Sequence, residues 1–428
     1  MATVLPFSEP VFSQESYSNS QILTPFGCRW SPGMSLRDIL SFALCNNSEI
    51  IDLGWDLDRA GFESRIIKSS YMPTLVGKAL VPALGFSNKR ELTAFSVESA
   101  MEVWGGGRRY SESKRAQSKA DAAQYRQDTK RYEVMRHCVE LYYDIWAGNK
   151  HLEILNRLHS ASTYSLGTLR QLISVGFISE IDLVRFSVTE RRYASQIIEG
   201  ELRVDELKRN FKVLLGIGPE VDINVKDIQV KTSEAAGEIE KIHNLFKPNF
   251  SASLKILESE KMLSAYQNER EMVLSDARPK VLLHGGIRSD QTSKGYSWNA
   301  NLSLTIPIFD DGYKSRVSIS DINVSRASLK VSVAKLESRH QFSKYKKQAN
   351  GFQGGLTAAE EYVALANRHF SLIGEKYDLR IASISELIES YEDLLRANEK
   401  LIDATRIFKI DSIVNPCSFA NLEVINGC

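Results

Sequence analysis

The sequence is built from two similar halves that repeat at an interval of about 205 residues. Pro73 and Pro279 each stand before an extended, hydrophobic stretch. The segment Ser-Glu-Ile-Asp-Leu at 179–183 has its counterpart in Ser-Ile-Ser-Glu-Leu at 383–387. Because an interval this long holds several helices and strands, it indicates a duplicated half-domain rather than the short unit of a solenoid. Any fold proposed for one half therefore has to serve the other half as well.

Each half contains a stretch in which apolar and polar side chains alternate. Alternation with a period of two predicts a β-strand that has one apolar and one polar face. Two interpretations are open: amphipathic hairpins packed on a water-soluble core, or membrane-spanning strands, which need ~10 residues each. The predicted apolar, lipid-facing positions are Phe95, Val97, Leu302, Leu304 and Ile306, and the predicted polar, lumen-facing positions are Asn299, Asn301, Ser303 and Thr305.

Most of the remaining chain has the pattern of very long helices. Residues 109–174 contain no proline, and their apolar side chains recur at steps of three, four or seven, as in a coiled coil. Residues 313–376 repeat this pattern. Each segment would form a helix about 100 Å long at 1.5 Å per residue. Shorter helices, predicted at 180–215 and 385–409, would return antiparallel to the long ones.

The strands raise a problem of closure that one chain cannot solve. Each half supplies two strands, and four strands are too few for a closed barrel. An open sheet edge cannot face lipid, because its backbone donors and acceptors would be unpaired. Several chains would therefore have to share one barrel, and three copies would give twelve strands. The alternative is a non-membrane coiled-coil scaffold with a small sheet, which explains neither the apolar strand faces nor the duplication.

The composition excludes several classes of protein. Lys and Arg number 54 against 53 Asp and Glu, so the net charge of +1 gives no bulk attraction to nucleic acid or anionic lipid. No apolar run approaches the ~18–20 residues that a membrane-spanning helix needs, and no signal peptide is visible at the N-terminus. The sequence offers no Ser/His/Asp or Cys/His set and no ligands at zinc spacing. We therefore predict no enzymatic activity, no cofactor and no metal site.

The five cysteines fall into three groups along the chain. Cys28 and Cys45 lie close together near the start, Cys417 and Cys428 lie near the end, and Cys138 stands alone. This grouping predicts two local disulfides, Cys28–Cys45 and Cys417–Cys428, and one buried thiol, hence an oxidising compartment. Five unrelated reduced thiols are the alternative, because spacing alone does not decide the pairing.

Three segments together resemble the TolC family of outer-membrane efflux proteins. Residues 35–47 resemble the family's opening helix, which ends in an Asn-Asn or Asn-Pro pair. Residues 304–312, Leu-Thr-Ile-Pro-Ile-Phe-Asp-Asp-Gly, resemble the exit of its second-half strand, and residues 176–183 resemble the turn between its long and returning helices. The order, spacing and duplication of these segments extend the resemblance over about residues 34–410.

The resemblance implies a mixed, mostly α-helical fold that functions as a trimer. Long antiparallel helices would form a trimeric α-barrel across the periplasm, and four strands per chain would join a shared twelve-stranded β-barrel in the outer membrane. The family is a passive exit duct without enzymatic activity, recruited by an inner-membrane pump and a periplasmic adaptor. The Cys28 and Cys45 pair is more similar to the type I secretion branch of the family than to the drug-efflux branch.

The resemblance also divides the chain. The predicted parts are an N-terminal extended segment (1–33), a first repeat (34–216) with its strand pair at about 72–104, a linker (217–249), a second repeat (250–410) with its strand pair at about 279–309, and a C-terminal equatorial segment (411–428).

A gate at the periplasmic tip is implied by the same resemblance. Glu386 and Glu389 occupy the family's two acidic positions, and their i, i+3 spacing puts both carboxylates on one helix face. Crowding of like charges around a threefold axis should raise some of their pKa values. Tyr377 matches the family's locking tyrosine and Asp182 its acceptor. The arginine of the family's second lock would fall at Ala382, so that bond is missing here.

Overall fold

The structure is a computed structural model of the single chain. It describes residues 22–23, 28–31, 33–80, 94–174, 179–223, 225, 253–290, 295–379 and 381–418. The contacts within it divide the chain into two compact units. Unit 1 is formed by 1–51, 130–250 and 339–428, and unit 2 by 52–129 and 251–338. Each unit takes segments from both halves of the sequence, so the units and the repeats do not coincide.

Helices and strands follow one another in the order predicted from the duplication. Helix, two strands, long helix and returning helix occur once in each half, which confirms the internally duplicated and mainly helical fold. The elements are β1 (Ile22–Leu23), β2 (Arg29–Trp30), α1 (Leu36–Asn46), α2 (Ser48–Ser69), β3 (Thr74–Leu80), β4 (Ala94–Trp104), α3 (Arg108–Ser174), α4 (Glu180–Leu215), α5 (Leu254–Ser275), β5 (Lys280–Asp290), β6 (Gly295–Thr305), α6 (Tyr313–Asp378) and α7 (Ile384–Ser418).

The last helix is longer than the sequence pattern predicted. We expected it to cover 385–409, and α7 continues to Ser418. Val414 is buried in the core of unit 1, with Ile410 and Ile413 packed beside it, so the extra turns are held by apolar contacts. Pro416, which has no N–H to donate to a helix, stands two residues before the end.

Among the described residues, β3 to β6 form one antiparallel sheet in the order β3-β4-β5-β6. The hairpin of each half is joined to the other through β4 and β5, with Val97 opposite Ile287. A β-bulge after Glu102 shifts this register, so that Trp104 rather than Val103 lies opposite Val281. A bulge inserts one residue into a strand, which simple alternation does not reveal.

The helices of unit 2 have a thin core. Ion pairs join α5 to α3 and to α6: Lys261 to Asp121 at 2.8 Å, and Lys335 to Glu260 at 2.8 Å. These pairs are partly exposed, and each contributes only about 0–1 kcal/mol. The buried side chains on these helices include several small ones, namely Ala116, Ala122, Ala265, Ala327 and Ala334.

Unit 1 has a larger core, in which the end of α1 is tied to the end of α4. The Asn46 side chain donates hydrogen bonds to the carbonyls of Leu215 (2.8 Å) and Gly216 (3.0 Å). Asn47 donates to the Leu214 carbonyl at 3.0 Å. The last carbonyls of a helix lack partners within it, so the two asparagines cap α4. Gly216 ends α4 in the left-handed conformation, with φ of 66°, and a Cβ there would meet Asn46 Nδ2 at 2.8 Å.

Candidate functional site

The register of the sheet gathers the predicted apolar positions on one face. Leu302 lies opposite Leu283, and Leu304 lies opposite Val281. Ile306 follows directly after the end of β6. The side chains on this face of the strands include Phe95, Val97, Met101, Val281, Leu283, Ile287, Trp298, Leu302 and Leu304. The face is uncovered in the single chain, as the exposures of 80% for Trp298 and 70% for Leu302 show.

The opposite face of the same sheet is polar. Lys78 and Glu98 form an ion pair on it, with Nζ and Oε2 2.5 Å apart. Its other side chains include Ser96, His284, Arg288, Ser297, Asn299, Asn301, Ser303 and Thr305, so the four predicted polar residues stand together. Sequence reasoning missed the charged members Lys78 and Arg288. Each of the two lies an even number of positions along its strand from other polar side chains, and residues at even spacing share one face of a strand. This spacing was the signal that could have found them.

A continuous exposed apolar face of this kind needs a cover. Soluble monomers rarely expose apolar patches larger than a few hundred Å², and here the apolar side chains run across all the strands from β4 to β6. Strand β6 is 11 residues long, which matches the ~9–11 residues of a tilted membrane-spanning strand. The sheet therefore has the two-faced pattern and the strand length of a sheet between lipid and water.

The predicted gate residues lie in unit 1, where α4 and α7 begin. Ser179 caps α4: its hydroxyl accepts from the Asp182 backbone N–H at 3.3 Å and donates to the Asp182 carboxylate at 2.7 Å. Ser383 and Glu386 repeat this arrangement at the start of α7. Both serines therefore cap the start of a helix, and Ser383 with Glu386 completes a capping box, because the Glu386 carboxylate also accepts from the Ser383 backbone N–H.

The Glu386 carboxylate is engaged in this cap. It accepts hydrogen bonds from the Ser383 backbone N–H at 2.7 Å and from the Ser383 hydroxyl at 2.9 Å. These bonds hold the pKa of Glu386 below its usual value, because they favour the charged form. In the single chain the shift is opposite to the rise expected from crowding in a ring. Glu389 is exposed one helical turn further along α7.

Tyr377 and Asp182 are near each other without being bonded. Burial raises the pKa of the Tyr377 hydroxyl, and the negative charge of Asp182 raises it further. Within the described part of the chain, that hydroxyl has no hydrogen-bond partner. The two predicted lock residues are therefore close enough to interact electrostatically, and the structure shows no hydrogen bond between them. Ala382 stands in the turn before α7 and packs against the neighbouring apolar cluster.

Aromatic side chains pack together where α4 and α7 begin and α6 ends. Tyr391 packs edge-on against Phe370 at 4.8 Å between ring centroids and against Phe186 at 6.1 Å. Phe186 and Tyr193 are almost completely buried. Edge-to-face packing of this kind stabilises by about 0.5–1.5 kcal/mol per pair beyond burial. The predicted gate residues therefore lie beside a well-packed aromatic cluster.

One of the two predicted disulfides is present in the structure. Cys28 and Cys45 are bonded, with their Cα atoms 6.4 Å apart. Cys138 is a free, buried thiol, as predicted, and burial raises its pKa to about 12. The second predicted pair, Cys417 with Cys428, cannot be placed. Cys417 belongs to α7, but its side chain and the whole of Cys428 lie outside the described residues.

Within the described ranges, no group of three His, Cys, Asp or Glu side chains could hold a metal ion. No helix in these ranges is both long enough and apolar enough to cross a membrane.

Comparison with known proteins finds likeness in structure alone. No family model and no curated protein sequence matches the chain. The outer membrane protein VceC of Vibrio cholerae matches with a TM-score of 0.76 at 12% identity, over 90% of this chain and 96% of that one. The outer-membrane channel OprN matches with a TM-score of 0.74 at 16% identity, over 90% and 89%.

A third match covers almost the whole chain. The open state of the outer membrane channel MtrE of Neisseria gonorrhoeae has a TM-score of 0.70 at 13% identity, over 97% of this chain and 98% of that one. At such identities the likeness concerns the fold. The TolC-type fold predicted from the sequence is thereby confirmed: this chain has the fold of the outer-membrane channels VceC, OprN and MtrE.

Proposed function

We propose that this chain is one protomer of a trimeric TolC-family channel in the outer membrane. The trimer would be a passive exit duct, without enzymatic activity, for a tripartite efflux or type I secretion system. An inner-membrane pump and a periplasmic adaptor would recruit it. The observation that carries this proposal is the two-faced sheet of β3 to β6, which is apolar on one side and polar on the other. The Cys28–Cys45 disulfide is the one feature that favours the type I branch.

The sheet edges support assembly from several chains. In the described sheet β3 and β6 are the outer strands, and their free backbone groups would be costly in lipid unless another strand pairs with them. Pairing β6 of one chain with β3 of the next repeats the antiparallel order and closes after a whole number of chains. Three chains give twelve strands, within the range of membrane barrels. A non-membrane scaffold would leave both the edges and the apolar face uncovered.

An unpartnered seam on α6 supports the same assembly. Apolar side chains recur on it at steps of three, four and seven, the spacing of a helix–helix contact. They remain largely exposed although α5 already packs on α6 through ion pairs. We call this set the α6 seam, and its members are Ile319, Ile322, Leu329, Val333 and Leu336. A neighbouring chain is the cover that the trimer would provide.

Leu329→Glu should weaken the trimer, because it places a carboxylate in the middle of the α6 seam. Leu329 is 65% exposed in the single chain, so the substitution should leave the protomer fold intact. Burying an unpaired charge between helices costs several kcal/mol. We therefore expect the variant trimer to dissociate into protomers at protein concentrations at least tenfold higher than the wild-type trimer does. Sedimentation in detergent measures this, with Lys330→Glu on the adjacent exposed position as the control. Equal stability of both variant trimers would exclude the seam as the contact.

Single-channel recording in planar bilayers tests the function itself, and the gate residues give the sharpest form of the test. The purified wild-type protein should produce stepwise conductance that prefers cations, because rings of carboxylates select cations. Glu386→Gln combined with Glu389→Gln should reduce both the cation preference and the block by divalent ions. Since the pKa of Glu386 is lowered by its cap, its charge should persist below the pH at which an ordinary glutamate is half protonated.

Tyr377→Phe serves in the same recordings as a test of the lock. If closure brings the Tyr377 hydroxyl onto the Asp182 carboxylate, the variant should open more often at unchanged conductance. Absence of any conductance from the wild-type protein would refute the channel. Conductance with unchanged selectivity in the double glutamine variant would place the constriction elsewhere.

A further inference from the structure

Two basic side chains lie in the same row of directly opposite residues across the polar face of the sheet. The register puts Lys78 opposite Ser96, Ser96 opposite Arg288, and Arg288 opposite Ser297. These four residues therefore form one row across β3, β4, β5 and β6, which we call the basic row. Neighbouring strands lie about 4.8 Å apart, so Lys78 and Arg288 are separated by roughly 10 Å.

The charges of the basic row are only half balanced. Lys78 is paired with Glu98, two positions further along β4. Arg288 forms no ion pair among the residues whose side chains the structure describes, and its side chain is exposed. Glu98 is also the carboxylate near enough to interact with Arg288, yet its Oε2 is taken by Lys78. Among the side chains that the structure describes, Lys78 and Arg288 thus face a single carboxylate, Glu98, so this part of the face carries a net positive charge.

The surroundings of Arg288 leave it open to a ligand. Its neighbours across the strands are the small residues Ser96 and Ser297, and Gly286 precedes it by two positions on the same face. None of them covers the guanidinium, and the groove along this face is lined by Arg288 together with these residues. A guanidinium is always charged and offers five donors in a planar fork that matches carboxylate and phosphate groups.

We propose that the basic row is an anion-binding site, with Arg288 as its principal ligand-binding group and Lys78 as its second charge. The inference rests on the proposed function, because three protomers would repeat the row around one level of the barrel. Its ligands would be anionic solutes in the lumen, bound through carboxylate or phosphate groups. The channel would then carry an anion-attracting level in the barrel as well as an acidic ring at the gate.

The first experiment measures the reversal potential of single channels in a gradient of potassium chloride. Arg288→Gln should lower the permeability of chloride relative to potassium by roughly twofold to fourfold at about 0.1 M salt, where charges act over ~10 Å. Arg288→Lys should restore most of the wild-type ratio. Glu98→Gln should change the ratio in the opposite direction, because it releases the charge of Lys78. Asn301→Gln, a neutral change on the same face, is the control.

The second experiment does not need a conducting channel. Chloride bound at a protein site broadens the chlorine NMR line, so the purified wild-type trimer in detergent should broaden it more than Arg288→Gln does. Arg288→Lys should again recover the effect. Wild-type protein that does not conduct would overturn the proposed function, while the line widths would still decide on the basic row. Equal broadening in wild type and Arg288→Gln, or an unchanged reversal potential, would overturn the anion site.

Discussion

Leu302→Arg should largely abolish insertion of the chain into the outer membrane. Leu302 is 70% exposed on the apolar face and stands two residues from Ala300, the middle of β6. An arginine on the lipid side of a barrel costs about 2–4 kcal/mol near the midplane and about 0–1 kcal/mol near the interfaces. Leu304→Arg, two residues nearer the strand end, should therefore be less harmful than Leu302→Arg.

Asn301→Arg is the matched control, because it adds the same side chain one residue away on the polar face. It should insert normally and change only the conductance. Urea titration of protein refolded into lipid vesicles gives the free energies, and membrane fractionation gives the yield in cells. If Asn301→Arg were the harmful change and Leu302→Arg the tolerated one, the faces of the sheet would be assigned the wrong way round.

Removing the Cys28–Cys45 disulfide should cost about 3 kcal/mol of unfolding free energy. The bond closes a loop over a sequence separation of 17 residues, and the chain-entropy estimate for a loop of that length is about 3 kcal/mol. Cys28 packs in the core of unit 1 with Trp30, whose ring meets Phe42 edge-on at 5.3 Å. Losing the bond should therefore loosen this packing first. Denaturant unfolding of the double variant Cys28→Ser, Cys45→Ser measures the loss.

A reducing agent breaks every disulfide, whereas the double substitution removes only Cys28–Cys45. The reducing agent should therefore destabilise the wild-type protein at least as much as the double substitution does. A further loss on adding the reducing agent to the double variant would report the predicted Cys417–Cys428 bond. Cys138 should react with thiol reagents only after unfolding, since it is fully buried and its pKa is raised to about 12. An unfolding midpoint that the reducing agent leaves unchanged would argue against a stabilising disulfide.

The fold was predictable where local chemistry and periodicity point the same way. The bounds of α4 were predicted to the residue, because Ser179 is a cap at its start and Gly216 takes the left-handed conformation at its end. The alternation in β6 predicted its two faces because the strand has no irregularity. The end of α7 was missed because burial of Val414 holds the helix together beyond Lys409, despite the helix-ending tendency of Pro416.

The candidate site was less predictable because it depends on pairings across distant parts of the chain. A bulge at Glu102 changes which side chain faces Val281, and no local pattern shows it. The lowered pKa of Glu386 comes from its bonds to Ser383, whereas the prediction considered only its like-charged neighbours. Arg288 and Lys78 share a row only once β4 is paired on both sides.

The tie between Asn46 and the end of α4 bears on how such a chain could have arisen. The bond joins two residues that are 169 positions apart. One belongs to the opening helix of the first half, and the other belongs to its closing helix. A half-length ancestor carrying this tie would already have had its two ends fastened together. With two strands in each copy, it would have needed six copies where the proposed assembly has three. Gene fusion would then have halved the number of separate pieces while leaving the ring of strands unchanged.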